Sequence, residues 1–353
     1  MSQFSKKLLE WFDQHGRHDL PWQQQINPYR VWVSEIMLQQ TQVKTVIPYY
    51  ERFMASFPTV KDLAQASQDA VLGHWAGLGY YARGRNLHKS ACIIANEFNG
   101  IFPTSFDDIL ALPGIGRSTA GAILSIALEQ RYAILDGNVK RVLSRHLALE
   151  GWPSRKDNEL ILWQEAEERT PQNRFNDYTQ AIMDLGATIC TRSKPKCEAC
   201  PVASECQAKL VDRVKDFPVS KPKKPKSIKK AFFLILENEQ GGVLLQKRPQ
   251  KGIWGGLWSF PEFECRESCL EGLKSLETQT NAEHSLIEWD SFRHTFTHYH
   301  LDIFPMYCSS IGDQKNLSEG VWVPKQQLCS AELGLGVPAP VTKLATIMES
   351  LDV

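Results

Sequence analysis

The sequence has no surplus of charge: 40 lysines and arginines balance 40 aspartates and glutamates over 353 residues. That balance excludes a globally basic nucleic-acid binder, so any surface for a charged partner has to come from local segregation. No stretch reaches the roughly eighteen consecutive apolar residues that a membrane-spanning helix needs. The opening MSQFSKKLLEW carries no apolar signal core or cleavage site, and nine cysteines are an odd number. Neither secretion nor a complete disulfide framework is indicated. There is no internal repeat. What is present, 42% hydrophobic and 10% aromatic residues, suffices for full cores, and the length favours two or three domains. The expectation is a soluble protein of a reducing compartment.

Apolar residues recur at spacings of three and four from Phe4 to about Leu210, broken by Phe57-Pro58 and by Gly100-Ile101-Phe102-Pro103, so this half reads as helical. Asn27-Pro28 is a helix start, with Asn as N-cap and Pro preorganised for the first turn. Residues 218–230 interleave Pro218, Pro222 and Pro225 with six lysines and read as an extended linker, which could also touch phosphates. Beyond it, Ala231 to Leu236, Val243 to Gln246, Leu257 to Phe260 and His298 to Pro305 read as strands, with a helix after Arg266. The C-terminal third, 231–353, is thus a separate α+β domain.

Cys190, Cys197, Cys200 and Cys206 are separated by six, two and five residues. Thiols so close in a reduced protein imply a metal or cluster, and a single C-x2-C knuckle favours a [4Fe–4S] cluster over four-cysteine zinc. The remaining cysteines, Cys92, Cys265, Cys269, Cys308 and Cys329, read as small buried hydrophobes. Arg192, Lys194 and Lys196 in the loop suit phosphate contact, or are simply solvated charge.

Leu112-Pro113-Gly114-Ile115-Gly116-Arg117-Ser118 lies between two helical stretches. Its glycines let consecutive backbone amides face an anion at a helix N-terminus. The Lys-Ser/Thr end of a nucleotide P-loop is missing. Glu35 sits in a largely apolar helix, where a carboxyl would have the raised pKa a general acid needs, and Asp136 immediately precedes a helix that it could cap.

Taken together, SEIMLQQTQV, LPGIGRSTAGAI, ILDGNVKRVL and the C-x6-C-x2-C-x5-C loop resemble the helix-hairpin-helix iron–sulfur DNA glycosylases, and most closely their MutY-type, adenine-removing branch. The resemblance implies a multidomain protein. An all-α helix-hairpin-helix glycosylase domain with its [4Fe–4S] cluster subdomain covers 1–217, with a six-helix lobe at about 22–132 and a cluster lobe at 1–21 and 133–217. An α+β Nudix-like lesion-recognition domain covers 231–353. It implies a monofunctional enzyme that hydrolyses the N-glycosidic bond of adenine paired with 8-oxoguanine or guanine, in double-stranded DNA. Glu35 matches the acid that protonates adenine N7, Asp136 the carboxylate facing the sugar cation, and Asn138 a residue positioning that assembly. Gln40 and Tyr80 match residues that intercalate beside the mispair, and Leu112, Gly114, Gly116, Arg117 and Ser118 the DNA-binding hairpin. Bifunctional relatives carry a lysine where Ser118 stands, although Lys140 is nearby. A monomer acting in the bacterial cytoplasm, at the nucleoid, is implied.

Arg248-Pro249 and the run Gly252 to Pro261 resemble the Nudix-like domain of the same branch. Leu270 replaces one of the carboxylates a working Nudix helix needs for Mg²⁺, so the domain reads as a reader without chemistry of its own. Phe296, Thr297 and His298 match the family's 8-oxoguanine-sensing Phe-Ser-His, with Thr297 in the serine place. Two other readings stand beside this one: a bifunctional glycosylase/lyase, and a non-catalytic iron–sulfur redox sensor that binds DNA.

Overall fold

The computed structural model describes residues 2–223, 225–280, 286–311, 320–328 and 333–351. The chain divides into two compact units, one of Met1–Gln65 with Asn86–Lys223 and the other of Ala66–Arg85 with Lys224–Val353.

The first unit is helical, and two of the helices that bear on the site start where side chains supply missing acceptors. Asn27 Oδ1 accepts from Arg30 N at 3.0 Å and Pro28 occupies the first turn of Pro28–Leu38. Asp136 Oδ1 accepts from Val139 N at 2.8 Å and opens Gly137–His146. Phe4, Leu8 and Phe12, spaced by four on Gln3–His15, are buried against Val142, Leu143, Leu162 and Ile182. Cys190 and Cys200 pack at the edge of that core. Phe175–Asp184 runs into a π turn, Leu185–Ile189, which delivers the chain to Cys190. Short turns at Cys197–Ala199 and Ala203–Glu205 lead to the helix Gln207–Leu210.

The second unit is built on an eight-stranded mixed sheet: β1 Ser227–Asn238, β2 Gly242–Lys247, β3 Trp258–Ser259, β4 Glu262–Phe263, β5 Leu286–Glu288, β6 Phe292–Thr295, β7 Tyr299–Ile311 and β8 Gly320–Pro324. β1 pairs in parallel with β7, from Ser227 opposite Tyr299 to Leu236 opposite Cys308. β2 lies antiparallel to β1, β3 and β8, while β5 and β6 lie antiparallel to β7. Leu234, Leu244 and Met306 of the sheet are buried with Cys269 and Leu273 of the helix Arg266–Thr280. A further helix, Ala339–Leu351, closes the chain.

Three details differ from the sequence reading. β1 begins at Ser227, inside the segment read as linker, because pairing with β7 outweighs the crowding of lysines. The strand read from His298 to Pro305 starts one residue later, at Tyr299, and runs on to Ile311, with residues 296–298 forming the turn from β6. Cys265 is exposed, whereas Cys269 and Cys308 are buried; Cys329 lies outside the described residues.

Candidate active site and cluster loop

A cavity of about 1070 Å³ in the helical unit is lined by Glu35, Gln40, Ser118, Asp136 and Asn138, with Arg17, Arg141 and Arg192. Six of the residues singled out from the sequence therefore meet on one space: Glu35, Ser118 and Asn138 on three different helices, Asp136 at the N-cap of the third, Gln40 just past the end of the first, and Arg192 in the cysteine loop. Their surroundings separate the two carboxyls. The Glu35 carboxyl makes no hydrogen bond among the described residues, and burial together with the nearby charge of Asp136 pushes its pKa up to about 8. Burial raises Asp136 too. Against that, it accepts from Val139 N and from Asn138 Nδ2 at 3.1 Å, and the Arg141 guanidinium favours its charged form. These bonds and Arg141 favour the charged form of Asp136, and no side-chain hydrogen bond does the same for Glu35 among the described residues.

Arg141 fixes this arrangement to the cluster loop. Its Nη2 donates to Asn138 Oδ1 at 2.8 Å and to Gly186 O at 2.6 Å, and its Nε donates to Cys190 O at 2.7 Å. Gly186 is required here, since a Cβ would stand 2.5 Å from Asn138 Cβ. One helical turn on, buried Arg145 donates to Thr191 O at 2.7 Å, Phe217 O at 2.8 Å and Cys190 Sγ at 3.3 Å. Sequence reasoning missed both arginines; their spacing of four from each other, on the helix that follows Asp136, was the available signal.

The four cysteines line one cavity with Val142, Leu185, Ile189 and Val202. Among the described residues no three His, Cys, Asp or Glu side chains stand close enough to hold a single metal ion. Thiols that surround a space instead of converging on a point fit an iron–sulfur cluster better than zinc. Burial pushes Cys200 up to about 12, so thiolate there needs a positive partner such as iron.

In the hairpin, Gly114 takes φ +82° between the helices Phe106–Ala111 and Arg117–Leu128, and a Cβ there would stand 2.8 Å from Asn86 Cβ. Gly114 and Gly116 are exposed, whereas the Leu112 side chain is buried and only its backbone can meet a phosphate. Arg117 lies over the Trp163 ring at 3.9 Å and pairs with Glu167. Ser118 Oγ accepts from Leu135 N at 3.0 Å. Lys140 is paired with Glu159 Oε1 at 2.5 Å and does not line the cavity.

Residues 33–168 match the HhH-GPD superfamily of base excision DNA repair proteins, 190–206 the iron-sulfur binding domain of endonuclease III, and 231–346 the NUDIX domain. The chain is 39% identical over 349 residues to an adenine DNA glycosylase of Buchnera aphidicola subsp. Schizaphis graminum, covering 98% of this chain and 99% of that one. The chain belongs to the adenine DNA glycosylase family. A second relative of that name, from Buchnera aphidicola subsp. Acyrthosiphon pisum, is 41% identical over 97% of this chain and 96% of its own. A thermostable thymine-DNA glycosylase structure superposes with TM-score 0.54 at 27% identity, over 59% of this chain and 95% of that one. As an adenine DNA glycosylase the protein is a hydrolase of N-glycosyl bonds in DNA, and its cofactor is a [4Fe–4S] cluster, bound by the domain that spans residues 190–206.

The other residues expected of an adenine DNA glycosylase lie at turns. Gln40 is exposed with φ +58°, and Tyr80 is exposed with φ +50°. Thr297 and His298 are exposed at the β6–β7 turn, which Phe296 N closes on Tyr299 O at 2.9 Å. The Phe296 ring packs on His294, Tyr299 and Trp254, with centroids 4.7, 4.8 and 5.1 Å away. Trp254 was not singled out from the sequence as a partner of this turn.

Proposed function

We propose that the protein removes adenine mispaired with 8-oxoguanine or guanine in duplex DNA, as a monofunctional monomer acting at the nucleoid of the bacterial cytoplasm. The observation that carries the mechanism is the pairing of two carboxyls with opposed surroundings on one cavity. Adenine is hidden in the base stack, so it must be flipped into the cavity before reaction. Glu35, protonated near neutral pH, gives its proton to adenine N7 and makes the base a neutral leaving group. As the N-glycosidic bond breaks, positive charge develops on the sugar, and ionised Asp136 faces it. Asn138, held by Arg141, keeps the Asp136 carboxylate aimed. Water then adds to the sugar carbon, giving free adenine and an abasic site.

Ser118 at the cavity and Lys140 turned to Glu159 support hydrolysis over an amine attack at C1′. The amides about Gly114 and Gly116 hold a DNA phosphate. Gln40 and Tyr80 fill the stack beside the mispair, and Phe296, Thr297 and His298 read the base opposite adenine. The cluster, when bound, supplies a rigid anchor for the loop; this chain's Arg145 and Arg141 carry that rigidity to Asn138. Single-turnover excision from an A·8-oxoguanine duplex, with A·T as control and borohydride trapping in parallel, tests the proposal. Adenine release without a trapped adduct is expected. A trapped adduct, or equal rates on A·T, would overturn it.

A further inference from the structure

The turn that carries Tyr80 is held by the C-terminal sequence. Tyr80 has φ +50° and is 48% exposed. A left-handed tyrosine persists only where its neighbours fix the backbone, because its Cβ crowds the following carbonyl. The neighbours here are identifiable. Arg83 Nη2 donates to Leu78 O at 3.2 Å and Gly79 O at 3.0 Å, and its guanidinium lies 5.5 Å from both the Trp75 and Tyr80 rings. Trp75 Nε1 also donates to Gly79 O.

Beyond this local frame, Tyr81 Oη donates to Val337 O at 3.2 Å and accepts from Gly77 N at 3.3 Å. A Cβ on Gly73 would stand 3.2 Å from Gly334 backbone, and one on Gly336 would stand 2.9 Å from Leu72 Cβ. Residues 72–73 and 334–337 are therefore in backbone-close contact. Arg85 Nη1 donates to Gly255 O at 2.6 Å, and Lys247 pairs with Asp69 at 2.8 Å. Gly255 belongs to the loop whose Trp254 packs on His294 and Phe296. One loop thus touches both the start of the helix Ala82–Glu97, which follows the Tyr80 turn, and the 296–298 turn.

We propose that Tyr81 and Arg85 are positioning residues: they tie the Tyr80 turn to the C-terminal domain at Val337 and Gly255, so that the same domain sets the wedge and reads the opposite base. This rests on the reading of Tyr80 as the wedge beside the mispair. It makes discrimination depend on the C-terminal domain twice, once through direct contact and once through the placement of a ring supplied by residue 80.

The test uses the full, cluster-loaded chain and a duplex with 2-aminopurine next to 8-oxoguanine, whose fluorescence rises when a side chain unstacks it. Tyr80→Ala is expected to abolish the rise. Tyr81→Phe, which removes one oxygen, and Arg85→Met should each lower the rise and weaken binding to A·8-oxoguanine by about two- to tenfold, the range for one hydrogen bond. Binding to A·G should change less, and the thermal midpoint little. Arg85→Lys, which keeps a donor, should recover most of the loss. Wild-type behaviour of Tyr81→Phe and Arg85→Met while Tyr80→Ala loses the signal would overturn the positioning role. So would a lowered thermal midpoint with both duplexes affected equally. An unchanged signal in Tyr80→Ala would overturn the wedge reading itself.

Discussion

The amide of Asn138 donates to Oδ2 of Asp136 at 3.1 Å, which leaves one carboxylate of the cavity hydrogen-bonded while Glu35, facing the same space, makes no such bond among the described residues. The difference sets the two carboxyls apart by environment alone. Replacing Glu35 with Gln, or Asp136 with Asn, changes almost no volume and should leave folding and DNA binding intact. Excision should fall by about 10²–10⁴-fold, the usual range for a positioned proton donor. Single-turnover rates beside thermal midpoints check this, and a wild-type rate in either variant removes that residue from the mechanism.

The raised pKa of Glu35 sets the pH dependence. With Glu35 as the proposed acid, excision should hold up to about pH 8 and decline above it. Stability has a definite sign as well. The folded pKa of about 8 exceeds the ordinary 4.5, so between these values the folded chain binds more protons than the unfolded one. The stability from Glu35 is fully present below about pH 4.5 and is lost as the pH rises through about 8. The slope is about 1.4 kcal/mol per pH unit, spread out by coupling to Asp136. Glu35→Gln should remove that slope in denaturant unfolding; parallel curves for the two proteins would show that the carboxyl is not desolvated.

Much of the site was legible because its signals are local. Asn27-Pro28, Asp136 before a helix, the glycines of the hairpin and the cysteine spacing each fix backbone within a few residues, and the structure has them in those places. What could not be read depends on distant pairing. Nothing in Ala66–Arg85 says that it sides with residues 224–353, because Leu72, Gly73 and Tyr81 find their partners at Gly334, Gly336 and Val337. Strands β4, β5, β6 and β8 are two to five residues long and weakly patterned, so only their partners identify them. Arg141 and Arg145 look like ordinary surface charge until the π turn brings Gly186 and Cys190 to them.

Arg141 and the cluster loop should separate experimentally. Arg141→Met keeps the stem of the side chain but loses the donors to Asn138, Gly186 and Cys190. Each hydrogen bond from a charged group contributes about 1.5–3 kcal/mol, so excision should drop by roughly 10- to 100-fold while the brown cluster chromophore persists. Cys197→Ser should instead lose the chromophore and, with it, DNA affinity, because Arg192 borders the cavity on a loop no longer anchored. Full excision by chromophore-bearing Arg141→Met would show that Asn138 does not need its partner.

The last prediction concerns the opposite base. Deleting residues from 224 onward removes the proposed reader, and it also strips Ala66–Arg85 of Val337 and Gly255 and so disturbs Tyr80. Point substitutions at the exposed turn avoid this. Thr297 Oγ1 lies 3.3 Å from His298 Nδ1, and Phe296 is packed on Trp254, so the turn is held from behind while its polar groups face solvent. 8-Oxoguanine differs from guanine by a few donors and acceptors, each worth about 0.5–1.5 kcal/mol net, or about two- to tenfold. Thr297→Ser keeps the hydroxyl and should keep the preference for A·8-oxoguanine over A·G. Thr297→Val keeps the shape and removes the hydroxyl, and should reduce the preference about two- to tenfold. His298→Ala should reduce it at least as far, with A·G excision little altered. Equal losses on both duplexes would make the turn a general DNA contact, and an unchanged ratio in Thr297→Val together with His298→Ala would remove it from lesion recognition.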